Sequence, residues 1–131
     1  MKYLHTMVRV SDLEKSLGFY TEVLNLKVSR TMELEGEATL YFLTDGKSCS
    51  EIELTYNHNL PDGGYTHGTY FGHFAFETDN MDKFSEKLKN LGFEYSIEPF
   101  LITETGPKIA FLKDPDGYQI EIIEKRNKEY Y

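Results

Sequence analysis

The chain has 131 residues, of which 40% are hydrophobic and 15% aromatic, and its formal net charge is −8 at pH 7. This composition excludes a disordered chain and allows one domain with a substantial core. The negative charge argues against a nucleic-acid-binding protein, whose affinity would come largely from neutralising phosphates. No apolar run approaches the roughly 20 residues that span a bilayer, and the first ten residues lack the apolar stretch of a signal peptide. Because the lone Cys49 cannot form an internal disulfide, we expect a cytoplasmic protein that does not contact membranes.

Two halves of the sequence follow the same order of patterns. Residues 4–28 alternate as a strand does, become helical and alternate again, and residues 72–96 repeat that order. Short strand-like runs follow each predicted helix, at 27–34, 38–46 and 50–57 in the first half and at 94–100, 108–114 and 118–125 in the second. Each half therefore predicts a βαβββ module, and the chain as a whole predicts an α+β fold.

The two predicted helices have recognisable ends and a buried face. The first opens with Ser11 and Glu14, which form a capping box. The second opens near Asp79 or Asn80 and stops at Gly92, because glycine readily adopts the left-handed backbone that ends a helix. The apolar stripe of the first helix consists of Leu13, Leu17, Tyr20 and Leu24. Such faces predict helices packed on the convex face of a curved mixed sheet.

The stretch that joins the two halves is the best linker candidate. Residues 58–68 are rich in glycine and in turn-forming residues. We expect module one over about 1–57, the linker over about 58–68 and module two over about 69–126. The sequence gives no sign of independent domains, so we predict a single domain over residues 1–131.

Four ionisable residues keep step between the two modules. His5 precedes Glu53 by 48 residues, and His73 precedes Glu121 by the same 48. The two histidines are 68 residues apart, and so are the two glutamates. A duplicated module with this pair in each copy would place the four side chains around a pseudo-twofold axis.

Strand alternation predicts which way these side chains point. Isoleucines and leucines flank Glu53 and Glu121 and take the face that packs on the helices, so both glutamates and both His5 and His73 take the concave face. Two imidazoles and two carboxylates suit a divalent metal ion with water in an octahedral shell. Each residue alone could be a solvent-exposed strand residue, and the matching register of all four favours the metal site. Glu51 lies outside this register and is predicted to face solvent.

Four segments of the chain carry a resemblance to a known family: LHTMVRVSDLEKSLGFYTEVL (4–24), IELTYN (52–57), YFGHFAFE (70–77) and FLKDPDGYQIEIIE (111–124). In combination and at this spacing, they resemble the glyoxalase I (lactoylglutathione lyase) family of the vicinal oxygen chelate superfamily. The fold of that family is a pair of βαβββ modules, in agreement with the periodicity. The resemblance implies a homodimer with its active sites at the subunit interface.

The resemblance also implies the metal ligands. The four ligands of the family fall on His5, Glu53, His73 and Glu121. The first two would come from one chain and the last two from the other. The short chain resembles the bacterial members, which nickel or cobalt activates more than zinc. We therefore expect one divalent ion per site, with nickel favoured over cobalt and zinc.

The reaction that the resemblance implies is the isomerisation of the hemithioacetal of methylglyoxal and glutathione to S-lactoylglutathione, which detoxifies methylglyoxal. A metal ion would offset the charge of an enediolate, while a carboxylate takes the proton from C1 and returns a proton to C2. By the same resemblance Glu121 is the base, and Glu53 is its partner for the other face of the substrate.

Substrate contacts follow from the resemblance as well. Arg9, Thr55 and Asn57 would lie near the γ-glutamyl end of glutathione, and their parity places them on the face of the ligands. Some larger members carry a cation where this chain has Thr69. Lys108 is therefore our candidate cation for the second anionic end of glutathione.

Two alternatives stay open at this point. One is a different metal-dependent enzyme of the same fold, such as a thiol transferase, an epimerase or a ring-cleaving dioxygenase. The dioxygenases use two histidines and one glutamate, so a fourth ligand at Glu53 argues against them. The other is a non-catalytic protein that binds a small molecule. Such proteins typically lose the ligand set, which is complete here.

Overall fold

The computed structural model describes residues 1–125, so the last residue of the predicted second module and the rest of 126–131 lie outside the described residues. The chain divides into two compact units, Met1–His67 and a second that begins at Gly68. This boundary falls inside the stretch 58–68. None of the helices formed by residues 1–125 is long and apolar enough to cross a membrane.

The first unit is a four-stranded mixed sheet with one helix. Its sheet has the order β1-β4-β3-β2, in which β1 and β4 are parallel and the other neighbours are antiparallel. A π-helical segment, Phe19–Val23, follows α1 directly. The elements are β1 (His5–Arg9), α1 (Leu13–Gly18), β2 (Lys27–Leu34), β3 (Ala38–Thr44) and β4 (Glu51–Asn57).

The second unit repeats this arrangement. Its sheet has the order β5-β8-β7-β6, with β5 and β8 parallel and the other neighbours antiparallel. The elements are β5 (His73–Thr78), α2 (Met81–Asn90), β6 (Ile97–Leu101), β7 (Lys108–Lys113) and β8 (Gln119–Glu124). The two units confirm the predicted α+β fold of two βαβββ modules with mixed sheets.

The start of α1 differs from the prediction by one residue. The N-cap is Asp12, and not Ser11, because the Asp12 carboxylate accepts a hydrogen bond from the backbone N–H of Lys15 at 3.1 Å. The wider π-helical turn then rotates the following residues relative to an α-helix. As a result the predicted stripe is only partly right, since Tyr20 is buried but its companions are intermediate. The buried residues are Ser16, Phe19, Tyr20 and Val23.

Helix α2 begins and ends as the sequence predicts. The Asn80 side chain accepts a hydrogen bond from the backbone N–H of Lys83 at 2.8 Å, which caps the first turn. Gly92 follows the last turn with φ of 80°, the left-handed conformation expected after a helix. Within α2, Met81 and Leu88 are the buried residues.

Alternation along the strands decides which residues enter the core of each unit. In β8, Ile120 and Ile122 are fully buried, whereas Glu121 between them points to the other face. In the first unit, Val8 of β1 and Leu54 of β4 occupy the buried face in the same way. The opposite face of each sheet is therefore left to the histidines and glutamates.

Candidate metal and substrate site

The first unit brings His5 and Glu53 together. His5 lies on β1 and Glu53 on the adjacent parallel strand β4, and the two side chains share one face. His5 Nε2 lies 2.9 Å from Glu53 Oε2. Glu53 is buried, with 8% of its surface exposed. A buried carboxylate needs a partner, and the imidazole provides one.

The second unit repeats this pair with the same geometry. His73 Nε2 lies 2.9 Å from Glu121 Oε2, across the parallel pair formed by β5 and β8. The spacing that the sequence repeats twice thus corresponds to two His–Glu pairs at one distance, one pair in each unit.

The separation within each pair fits two neighbouring ligands of an octahedral ion. Ligands at right angles around an ion, with bonds of about 2.1 Å, lie about 3.0 Å apart. Ligands of a tetrahedral ion with similar bonds lie about 3.4 Å apart. The 2.9 Å between nitrogen and oxygen in both units agrees with the octahedral value. Such a pair could hold a divalent metal without rearrangement of its strands.

Each pair is half of a ligand set. Among residues 1–125, no group of three or more histidine, cysteine, aspartate and glutamate side chains lies close enough to hold a metal ion. A complete octahedral site would therefore need both pairs and water.

The two glutamates differ in their support. The Thr55 hydroxyl donates a hydrogen bond to Glu53 Oε1 at 2.9 Å, so both oxygens of Glu53 have a partner. The residue at the equivalent position beside Glu121 is Ile123, which has no hydroxyl to donate. Glu53 is consequently the more firmly held carboxylate.

A phenylalanine flanks each His–Glu pair, which the sequence analysis did not predict. Phe42 lies opposite Glu53 on the neighbouring strand, and its ring contacts His5 at a centroid distance of 5.5 Å. Phe111 lies opposite Glu121 and contacts His73 at 5.7 Å. Both contacts are edge-to-face, a favourable geometry for aromatic rings. The cross-strand register would have revealed these residues, but it cannot be read from one sequence with certainty.

Glu51 does not face solvent as we predicted. Its carboxylate accepts hydrogen bonds from the Ser29 hydroxyl and from the Arg30 guanidinium. These two donors, Ser29 before Arg30, hold the pKa of the Glu51 carboxyl below its usual range, against the opposing effect of burial. In the second unit the residue opposite His73 in the sheet is Gln119, which carries no charge.

The predicted contacts for the γ-glutamyl end lie on the face of the ligands. Arg9 and Thr55 are directly opposite each other on β1 and β4. Asn57 is two residues further along β4, and its side-chain oxygen accepts a hydrogen bond from the Tyr65 hydroxyl at 3.1 Å. The structure therefore brings Arg9, Thr55 and Asn57 to one end of the first His–Glu pair.

Lys108 is not on this face. It alternates along β7 with Phe111, which faces His73, and its ammonium lies 3.7 Å from the carboxylate of Asp82 on α2. Lys108 thus points to the helix side of the sheet. Lys113, at the other end of β7, shares the parity of Phe111 and lies opposite Gln119. Counting parity along KIAFLK from Phe111 would have identified Lys113.

Comparisons with known sequences agree with this geometry. A sequence model of the Glyoxalase/Bleomycin resistance protein/Dioxygenase superfamily matches residues 2–122. The chain is 42% identical over 130 residues to proteins named lactoylglutathione lyase from Haemophilus influenzae and from Escherichia coli O157:H7. Each alignment covers 97% of this chain and 95% of the relative.

Solved structures with the same fold include glyoxalase I from Zea mays, with a TM-score of 0.83 and 34% identity over 96% of this chain. The chain spans about half of that protein, 45% of its length. A trypanothione-dependent glyoxalase I from Leishmania major has a TM-score of 0.73 at 34% identity, and 86% of its length is covered.

Proposed function

The chain belongs to the Glyoxalase/Bleomycin resistance protein/Dioxygenase superfamily, and on that basis we propose that it is a lactoylglutathione lyase. It converts the hemithioacetal of methylglyoxal and glutathione to S-lactoylglutathione. The observation that carries this function is the duplicated His–Glu pair, with one nitrogen–oxygen distance of 2.9 Å in both units. Relatives of nearly the same length, at 42% identity, bear that name.

The four residues of the two pairs would hold one divalent ion. When bound, the ion supplies positive charge beside the substrate oxygens that become negative. We propose nickel as the preferred metal, with cobalt next and zinc weaker. Two observations support this choice: the separation within each pair agrees with octahedral geometry, and the chain is similar to bacterial relatives over nearly its full length.

Proton transfer falls to the less firmly held carboxylate. Glu121 would take the proton from C1 of the hemithioacetal and return a proton to C2, which moves the carbonyl to C1 and leaves the thioester. Glu53, fixed by its hydrogen bond from Thr55, would stay in place as a ligand beside the other face of the substrate. Arg9, Thr55 and Asn57 would bind the γ-glutamyl end.

We propose that the protein is a homodimer in the cytoplasm, with His5 and Glu53 of one protomer completed by His73 and Glu121 of the partner subunit. The support for the dimer is that each unit offers two ligands and that residues 1–125 of a single chain bring no three together. The single cysteine, Cys49, is exposed and suits a reducing compartment.

Removal of the metal is expected to abolish the activity. Protein stripped with a chelator should form less than about 1% of the thioester that the loaded enzyme forms, since several kcal/mol of charge stabilisation are lost. Reloading with Ni²⁺ should restore the rate, followed by thioester absorbance with methylglyoxal and glutathione. No rate above background with nickel, cobalt or zinc would overturn the proposed function. A rate with a different thiol alone would change only the cosubstrate.

Lys113, and not Lys108, is expected to bind the second anionic end of glutathione. Substitution Lys113→Met should raise KM by up to about fivefold, the equivalent of one solvent-exposed ion pair, with little change in kcat. The matched control is Lys108→Met on the same strand, whose side chain faces Asp82 on the helix side. Equal KM values for the two variants would contradict this assignment. The measurement is a steady-state titration with the preformed hemithioacetal.

A further inference from the structure

The ring of Phe42 has a cation on one side as well as the histidine beside it. The guanidinium carbon of Arg30 lies 3.5 Å from the centroid of the Phe42 ring. At this distance the planar group stacks on the ring, an attraction of cation–π type. Arg30, Phe42 and His5 therefore form a continuous row that ends on a predicted metal ligand.

Arg30 is itself held in place. Its Nη2 donates a hydrogen bond to Glu51 Oε2 at 3.3 Å, and the Ser29 hydroxyl donates to the other oxygen of Glu51. Ser29 Oγ also lies 3.1 Å from the carbonyl oxygen of Phe42, within the distance of a hydrogen bond. The carboxylate thus links two consecutive residues of β2 to the strand that carries Glu53.

A β-bulge makes this linkage possible. Consecutive residues of a regular strand point to opposite faces, so Ser29 and Arg30 could not both reach one carboxylate. The pairing of β2 with β3 shifts between Val28 and Arg30, which leaves Ser29 outside the regular register. Bulges of this kind re-aim side chains, often beside active sites.

The second unit has no counterpart of this group. The residue opposite Phe111 on β6 is Ile97, where Arg30 stands opposite Phe42 in the first unit. The residue opposite His73 is Gln119, where Glu51 stands opposite His5. The two half-sites thus share their ligands and their phenylalanine but differ in what lies behind them.

The need for such support follows from the other nitrogen of His5. A metal-binding histidine usually donates its second N–H to a carboxylate or carbonyl, which fixes the orientation of the ring. His5 Nδ1 is buried and has no hydrogen-bond partner within residues 1–125. Its orientation must therefore be fixed by packing, and the ring it packs against is Phe42.

We propose that Ser29, Arg30 and Glu51 form a brace that holds Phe42 and, through it, the imidazole of His5 in the orientation that binds metal. The first half-site is then pre-organised, and the second adjusts when the ion binds. The brace residues are positioning residues, and because Arg30 and Glu51 have opposite charges they add no net charge beside the ion. The metal-binding part of this inference rests on the proposed function.

The substitution Arg30→Lys tests the brace because it keeps the charge and removes the planar stack. We expect Ni²⁺ to bind about fivefold more weakly, measured by competition with a chelator, which is less than the 10–100-fold effect of a direct second-shell partner. The matched control is Lys27→Arg, a cation exchange on the same strand, which should leave the affinity unchanged. An unchanged affinity in Arg30→Lys, with normal binding by the wild type, would overturn the inference. If the wild type binds no divalent metal, the proposed function fails instead.

A double-mutant cycle with Phe42→Leu tests the route. If the brace acts through the ring, Arg30→Lys should have no further effect on metal affinity once Phe42 is replaced. Additive effects of the two substitutions would show that Arg30 acts on the site by another route and would contradict the proposal. Thermal unfolding of each variant shows that the affinity is measured on folded protein.

The order of the imidazole can also be measured without metal. In the metal-free protein, ¹³C relaxation at Cε1 should show a more rigid ring for His5 than for His73. Arg30→Lys should lower the order parameter of His5 and leave that of His73 unchanged. Equal order of the two rings in the wild type, or no change at His5 in the variant, would refute the brace whatever metal the protein binds.

Discussion

Glu121→Gln is expected to lower kcat by about 10²- to 10⁴-fold, the usual contribution of a general base. Glutamine keeps the shape of the side chain and one oxygen, but it cannot accept the proton from C1. The measurement is the initial rate of thioester formation at saturating hemithioacetal, with the bound metal quantified in the same sample. Measuring the metal separates the loss of the base from the loss of a ligand.

The matched control for this prediction is Glu124→Gln. Glu124 lies on the same strand, three residues after Glu121 and on the opposite face. Its substitution should leave kcat within about twofold of wild type, as expected for a surface change away from the chemistry. A fully metal-loaded Glu121→Gln enzyme with kcat within tenfold of wild type would remove Glu121 from the role of base.

A mixed dimer is expected to regain activity that neither parent has. His5→Ala disables the first unit of its chain, and Glu121→Gln disables the second unit of its chain. If each site joins the first unit of one protomer to the second unit of the other, one site of the mixed dimer combines both defects and the other has none. Co-produced with different tags and purified on both, this dimer should show about half of the wild-type activity.

The opposite result has a clear meaning. If each site were built within one chain, every chain of the mixed dimer would carry a defect and the activity would stay at the level of the parents. The control pair is His5→Ala with Glu53→Gln, two defects in the same unit. That pair should not recover activity in the proposed arrangement, because both sites of its mixed dimer contain a damaged first unit.

Much of the fold followed from the sequence because it depends on short-range patterns. Alternation and helical periodicity placed the strands and helices of both units, and the repeat of 48 residues selected the His–Glu pairs that the structure brings together. The buried face of α1 was predicted only in part, since a π-helical turn at Phe19–Val23 changes the angle between successive side chains.

The details around the site depend on register between strands, which one sequence does not specify. Lys108 was placed on the wrong face because its parity was not compared with that of Phe111, the residue opposite Glu121. Glu51 was expected in solvent because regular alternation gives no reason for Ser29 and Arg30 to reach it. Only the bulge between Val28 and Arg30 brings both donors to one carboxylate.

The unequal support of the two glutamates has a consequence for stereochemistry. A perfect duplication would give the substrate two interchangeable carboxylates, one on each side, and a proton could return to either face of a planar enediolate. Here Thr55 restrains Glu53, while the residue beside Glu121 is Ile123. One hydroxyl group, present in one copy and absent from the other, is therefore enough to make the two faces inequivalent and to give the new carbon centre a single handedness.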